Sequence, residues 1–158
     1  MTNHIFDLLM PRITMLGDGK AMLALSVLLM ILVSKPKKIS GILMLAGLAI
    51  SSIVVYVLKH IVTRPRPFVV SHNVHLLVKE LDKNHSFPSG HATLAFMAAV
   101  ILAAYFRRGY VFFLIAAVIC FSRVYIGVHY VSDVVAGAIL GSVIGYALVY
   151  AAKRLRRE

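Results

Sequence analysis

The chain has one cysteine and six acidic residues among its 158. Cys120 sits inside an apolar run, so there is no disulfide framework and no thiolate metal site, and it reads as a small packing residue. The acids are Asp7, Asp18, Glu80, Asp82, Asp133 and Glu158, and of these only Asp133 stands among other charged motif residues. The apolar residues do not alternate with polar ones, which argues against half-buried strands. The first residues lack a basic n-region, a clean apolar h-region and an Ala-x-Ala site, so a cleaved signal peptide is not expected. No internal repeat is evident, whereas transporters often carry one.

Apolar side chains make up 60% of the residues, and mean hydropathy is +0.87. That is well above an ordinary soluble domain, and the length suits one domain, residues 1–158. The apolar runs are continuous, which predicts an all-α bundle in a membrane. Five spans can be drawn, at 19–34, 41–58, 90–106, 110–121 and 131–152, several of them short of the ~20 residues that cross a bilayer. Their ends are expected to reach into flanking polar residues, with lysines snorkelling outward. Residues 1–18, interrupted by Pro11, read as a helix lying in the interface. Within the loop 59–89, Val74, Leu77, Val78 and Leu81 recur at helical spacing opposite Lys79, Glu80, Asp82 and Lys83. This pattern reads as a short amphipathic helix on the outer surface, or as an ordinary loop.

The net charge of +11 would suggest nucleic acid in a soluble protein. Here the basic residues flank apolar runs, so a lipid bilayer and anionic substrates are the expected partners and nucleic acid is not. Lys35, Lys37 and Lys38, then Arg107 and Arg108, then the basic tail from Lys153 fall at one set of span ends. By the positive-inside rule these ends and the C-terminus face the cytoplasm. The loop 59–89 and the turn from Arg123 to Tyr130 then face outward.

Three charged stretches share that outer face. Lys59 is followed by Arg64-Pro65-Arg66-Pro67, where alternating prolines forbid a regular helix and hold the arginines at fixed angles. Arginine suits phosphate oxygens, although a stiff linker touching headgroups would look the same. Ser86-Phe87-Pro88-Ser89-Gly90-His91 opens the third span, where a helix start leaves N–H groups that bind anions or simply await a cap. Ser122-Arg123 closes the fourth span. His129 and Asp133 stand four apart at the mouth of the last, on one helix face. A carboxylate on one ring nitrogen leaves the other as a lone-pair donor, and a self-satisfied polar pair is the plainer alternative. Gly137, Gly141 and Gly145 repeat every four residues, a close-packing stripe.

Lys-x6-Arg-Pro, Pro-Ser-Gly-His and Ser-Arg-x5-His-x3-Asp, in that order, resemble the type-2 phosphatidic acid phosphatase superfamily of membrane lipid phosphatases. The likeness covers about residues 16–152, and Leu16-Gly17-Asp18 also looks like an outer loop of bacterial members. Many members are expected to have six spans, and this chain is expected to lack the first. The resemblance implies a metal-independent hydrolase of lipid phosphates or diphosphates that uses no cofactor. In it His129 is the nucleophile, Asp133 its orienter and His91 the acid and base. Lys59, Arg66, Arg123 and the backbone at Ser89 and Gly90 hold phosphate, with Arg64 and Ser122 in secondary places. It further implies the cytoplasmic membrane of a prokaryote with the site on the outer side. Undecaprenyl diphosphate is the first substrate choice; phosphatidylglycerophosphate, phosphatidic acid and lipid A phosphate stay open. Two readings from other classes are an anion transporter and a b-type cytochrome ligated by His91 and His129. The sequence is silent on oligomeric state.

Overall fold

A computed structural model describes residues 4–71, 76–77 and 85–156. Among these the chain is all-helical: α1 (His4–Thr14), a 3-10 turn (Met15–Gly17), α2 (Gly19–Leu32), α3 (Lys35–Ile61), α4 (Pro67–Val70), α5 (Gly90–Tyr105), α6 (Tyr110–Tyr125) and α7 (Val131–Leu155). Two helical stretches, Lys37–Ile61 and Val131–Leu155, are long and apolar enough to cross a membrane. His4–Gly17 with Gly19–Leu32 meets that test only as a pair, bent by 57°. Each of the five expected spans is a helix, but α5 and α6 have 16 residues, roughly 24 Å of rise.

Several boundaries differ from the sequence reading. The second span starts at Lys35 rather than residue 41, because Pro36 falls in the first turn, where its missing N–H costs nothing. Lys37 sits over the Phe106 ring, 5.1 Å from its centroid, instead of lying in a loop. The fourth span continues past residue 121 to Tyr125, which makes Ser122 and Arg123 buried helix residues. Pro11 does not interrupt α1, which runs through it. Met10 and Thr14 on this helix are buried, and α1 packs against α6. Of the amphipathic pattern between the second and third spans, all but Leu77 lies outside the described residues, and Leu77 itself is not helical.

Helix α5 is the hub, packed by α2, α3, α6 and α7. It meets α7 along the glycine stripe. A Cβ on Gly137 would lie 2.6 Å from the Ser89 carbonyl oxygen, and one on Gly145 would lie 2.8 Å from that of Met97. At Gly141 a Cβ would collide with the carbonyl of Thr93. Only hydrogen fits at such backbone-to-backbone contacts. On its other side α5 faces α2 and α6 across an apolar cleft of about 400 Å³, lined by residues including Met22, Leu25, Ala98, Leu102, Phe112 and Ile119. Met44, Met97 and Ile101 are fully buried in the core between these helices. Leu32, Ile53, Ile139 and Tyr146 point outward and stay exposed, as lipid-facing positions do.

Candidate active site

The four polar ends of α3, α5, α6 and α7 meet at the side of the bundle opposite Lys35, Arg107 and Lys153, since α3 and α6 run toward it and α5 and α7 away from it. Lys59 lies in the last turn of α3 and its Nζ donates to the His85 carbonyl at 2.7 Å. The chain then leaves the helix, as the prolines require, and Arg66 is extended with φ −74° and ψ 153°. Arg66 is buried and its Nη1 donates to the Val128 carbonyl at 3.3 Å. The main chain at Ser86 donates to the Arg64 carbonyl at 2.8 Å, which laces the first charged stretch to the second.

Ser89 caps α5: its Oγ accepts from the Ala92 N–H at 3.4 Å, while its own N–H donates to the Asp133 carbonyl at 3.0 Å. Its hydroxyl therefore serves the helix, and the N–H groups left without helical partners at this end are those of the first-turn backbone. Gly90 opens α5 and shares with Lys59 the mouth of a pocket of about 260 Å³. His91 is one residue further along. Ser122 turns its hydroxyl back to the Ile119 carbonyl at 2.6 Å, which makes it a helix-internal group. Arg123 is buried in the last turn of α6, and its Nη1 donates to the Thr14 hydroxyl at 3.0 Å.

His129 and Asp133 lie close together but not on one helix face, because His129 stands in the turn before α7 and Asp133 in its first turn. His129 is 3% exposed and Asp133 0%. Nδ1 of His129 lies 3.6 Å from Oδ2 of Asp133, longer than a hydrogen bond, so the carboxylate acts on the ring chiefly through its charge. The same Oδ2 accepts from the Tyr130 N–H at 3.0 Å. Oδ1 accepts from Arg64 Nη1 at 2.8 Å. That arginine also donates to Ser132 Oγ at 2.7 Å and lies over the Tyr130 ring, 4.0 Å from its centroid. Burial pushes the His129 imidazole down to about 4; Asp133 opposes the shift, and the positive charges of Arg123, Arg66 and Lys59 reinforce it. At neutral pH its ring is thus uncharged and carries a free lone pair. The same three cations, together with His129, act electrostatically on His91. Two imidazoles therefore share one positive field.

Sequence reasoning missed Thr14, whose partner lies 109 residues away. It gave Arg64 a secondary place without a partner, and its guanidinium is engaged with Asp133, Ser132 and Tyr130. Among the described residues no three His, Cys, Asp or Glu side chains gather so as to hold a metal ion.

A buried cationic cup with a histidine–carboxylate pair at its wall, set in a helical membrane bundle, defines a class of phosphate-handling membrane proteins. The PAP2 superfamily matches residues 40–157, and the chain belongs to that family. It is 32% identical over 133 residues to an undecaprenyl-diphosphatase of Sulfolobus acidocaldarius, covering 83% of this chain and 64% of that protein. The chain spans about half to two thirds of the length of curated relatives it matches, from 49% to 64% for three of them. Its fold is similar to the crystal structure of LpxE from Aquifex aeolicus (TM-score 0.85, 27% identity, 94% of this chain and 88% of that one). A transmembrane PAP2-type phosphatidylglycerolphosphate phosphatase from Bacillus subtilis is similar too (TM-score 0.81, 26% identity, 98% and 80% covered).

Proposed function

We propose that this chain is a membrane lipid phosphatase that hydrolyses a lipid phosphate or diphosphate through a phosphohistidine on His129. The observation that carries this reading is the buried His129, 3.6 Å from Asp133 and within the field of Arg66, Arg123 and Lys59. Nδ1 faces the carboxylate, so Nε2 is the nitrogen that attacks phosphorus. The P–O bond to the lipid breaks as the N–P bond forms, and His91, which takes up a proton from solvent when the phosphate's negative charge enters the site, delivers it to the leaving oxygen. Neutral His91 then takes a proton from water, whose oxygen displaces His129 and releases inorganic phosphate. Lys59, Arg66, Arg123 and the N–H groups at Ser89 and Gly90 neutralise the equatorial oxygens throughout. Phosphoryl transfer is catalysed mainly by such positioning and charge. In this reading the three cations take the place of a divalent metal and no cofactor is needed.

The preferred substrate is undecaprenyl diphosphate, a reading supported by the similarity to the Sulfolobus undecaprenyl-diphosphatase. Phosphatidylglycerophosphate, phosphatidic acid and lipid A phosphate are the alternatives. Five spans carry the chain, with the C-terminus in the cytoplasm and the site on the outer side of a prokaryotic cytoplasmic membrane. Basic side chains at the opposite ends of the helices support that orientation.

Purified protein in detergent, offered these four lipids in parallel, is expected to release phosphate from at least one of them. Release should survive EDTA and be blocked by vanadate, and His129→Ala should abolish it. Activity lost on chelation, or kept in His129→Ala, would overturn the mechanism.

A further inference from the structure

Helix α1 and the 3-10 turn lie outside the matched stretch 40–157, yet they reach the site at two points. Thr14, the last residue of α1, is 6% exposed and its Oγ1 accepts the hydrogen bond from Arg123 Nη1 at 3.0 Å. Three residues later, Gly17 is buried against the edge of the His91 ring. A Cβ there would lie 3.2 Å from His91 Cδ2, 3.3 Å from His91 Cβ and 2.7 Å from Ile119 Cγ2. The segment is latched onto α6 by the Tyr125 hydroxyl, which donates to Asp7 at 2.8 Å, and by an edge-on contact of Phe6 with Tyr125. Met10 packs with Ile126 and Val128, in the turn that leads into His129.

We propose that Thr14 is a positioning residue, which aims the Arg123 guanidinium at the phosphate, and that the segment His4–Gly17 is a wall of the active site. A guanidinium on a long side chain has several rotamers. A buried hydroxyl at one of its nitrogens selects a single one before substrate arrives, so less ordering remains to be done on binding. Gly17 leaves just enough space for His91 on the facing helix. One short stretch thereby sets both a phosphate-holding cation and the proposed proton donor.

The test uses the whole protein in detergent with orthovanadate as probe, read by thermal shift and by inhibition of lipid-phosphate turnover. The activity arm rests on the phosphatase reading; the binding arm does not. Thr14→Val keeps the shape and removes the acceptor, and should weaken vanadate binding roughly tenfold, as expected for a hydrogen bond to a charged group. Thr14→Ser should restore it to within about twofold of wild type if the hydroxyl is what matters. Arg123→Lys should weaken binding as well, and adding Thr14→Val to it should cost nothing further. Equal impairment in Thr14→Val and Thr14→Ser, no change in Thr14→Val, or fully multiplied losses in the double variant would each overturn the proposal. Wild-type protein that binds vanadate but hydrolyses no lipid would sink the phosphatase reading, leaving the binding ratios to decide for Thr14. Wild-type protein that binds no vanadate would sink both.

Discussion

The two sides of α5 are built on opposite plans. Toward α7 there is no room for a single added carbon, because Gly137, Gly141 and Gly145 bring backbone against backbone. Toward α2 and α6 the same helix presents Ala98 and Leu102 to an open apolar cleft. Part of the site falls on the tight side: Ser89 and Gly90 begin α5, and Asp133 sits in the first turn of α7. Close packing fixes positions to fractions of an ångström, which phosphoryl transfer needs. An open cleft between apolar helices accepts flexible hydrocarbon without fixing its shape, which suits lipid tails.

Substitutions on the tight side should therefore do the most damage. Gly141→Val should cost at least about 3 kcal/mol by driving a side chain into the Thr93 backbone, and a melting curve in detergent should show the loss. A normal melt would mean that the two helices can part, and the contrast would collapse. Next, Arg64→Ala should lower kcat about tenfold with KM little changed, since Arg64 holds Asp133 rather than substrate. A rise in KM alone would place it among the phosphate-binding residues instead. The third test concerns water exclusion. Histidine NMR should show His129 titrating near 4 rather than near the usual 6.5, so its ring stays neutral as pH falls to about 5 and charges only below that. A His129 signal that titrates near 6.5 would show the tight side to be wet. The smallest effect belongs to the loose side: Ala98 is buried but borders the cleft, so Ala98→Leu should cost only about 1 kcal/mol in a melting curve and shift phosphate release toward lipids with shorter tails.

Much of this was legible in the sequence, for a physical reason. Continuous apolar runs must become helices in lipid, since no other open element satisfies its own backbone there. The nearness of His129 to Asp133 was legible from their short separation, although His129 stands in the turn before α7 rather than on its face. Contacts that span the chain leave no such trace. Thr14 meets Arg123 only because α1 folds against α6, and nothing about a threonine before Met15 signals it. Arg64 and Arg66 look alike on paper. The prolines hold them apart, so that one turns to Asp133 and the other to Val128, and spacing alone cannot say which goes where. The start of α3 was misplaced because three lysines and a proline imitate a loop, yet the first turn of a helix tolerates all of them.

The amide of Ser89 donates to the carbonyl of Asp133, main chain to main chain. That bond works as a fixed gauge between the strip of protein bearing one imidazole and the strip bearing the other, and neither of its partners is a side-chain atom. In the proposed reaction, substitutions along the apolar cleft can therefore alter which lipid tail is preferred while the interval across the phosphorus stays the same.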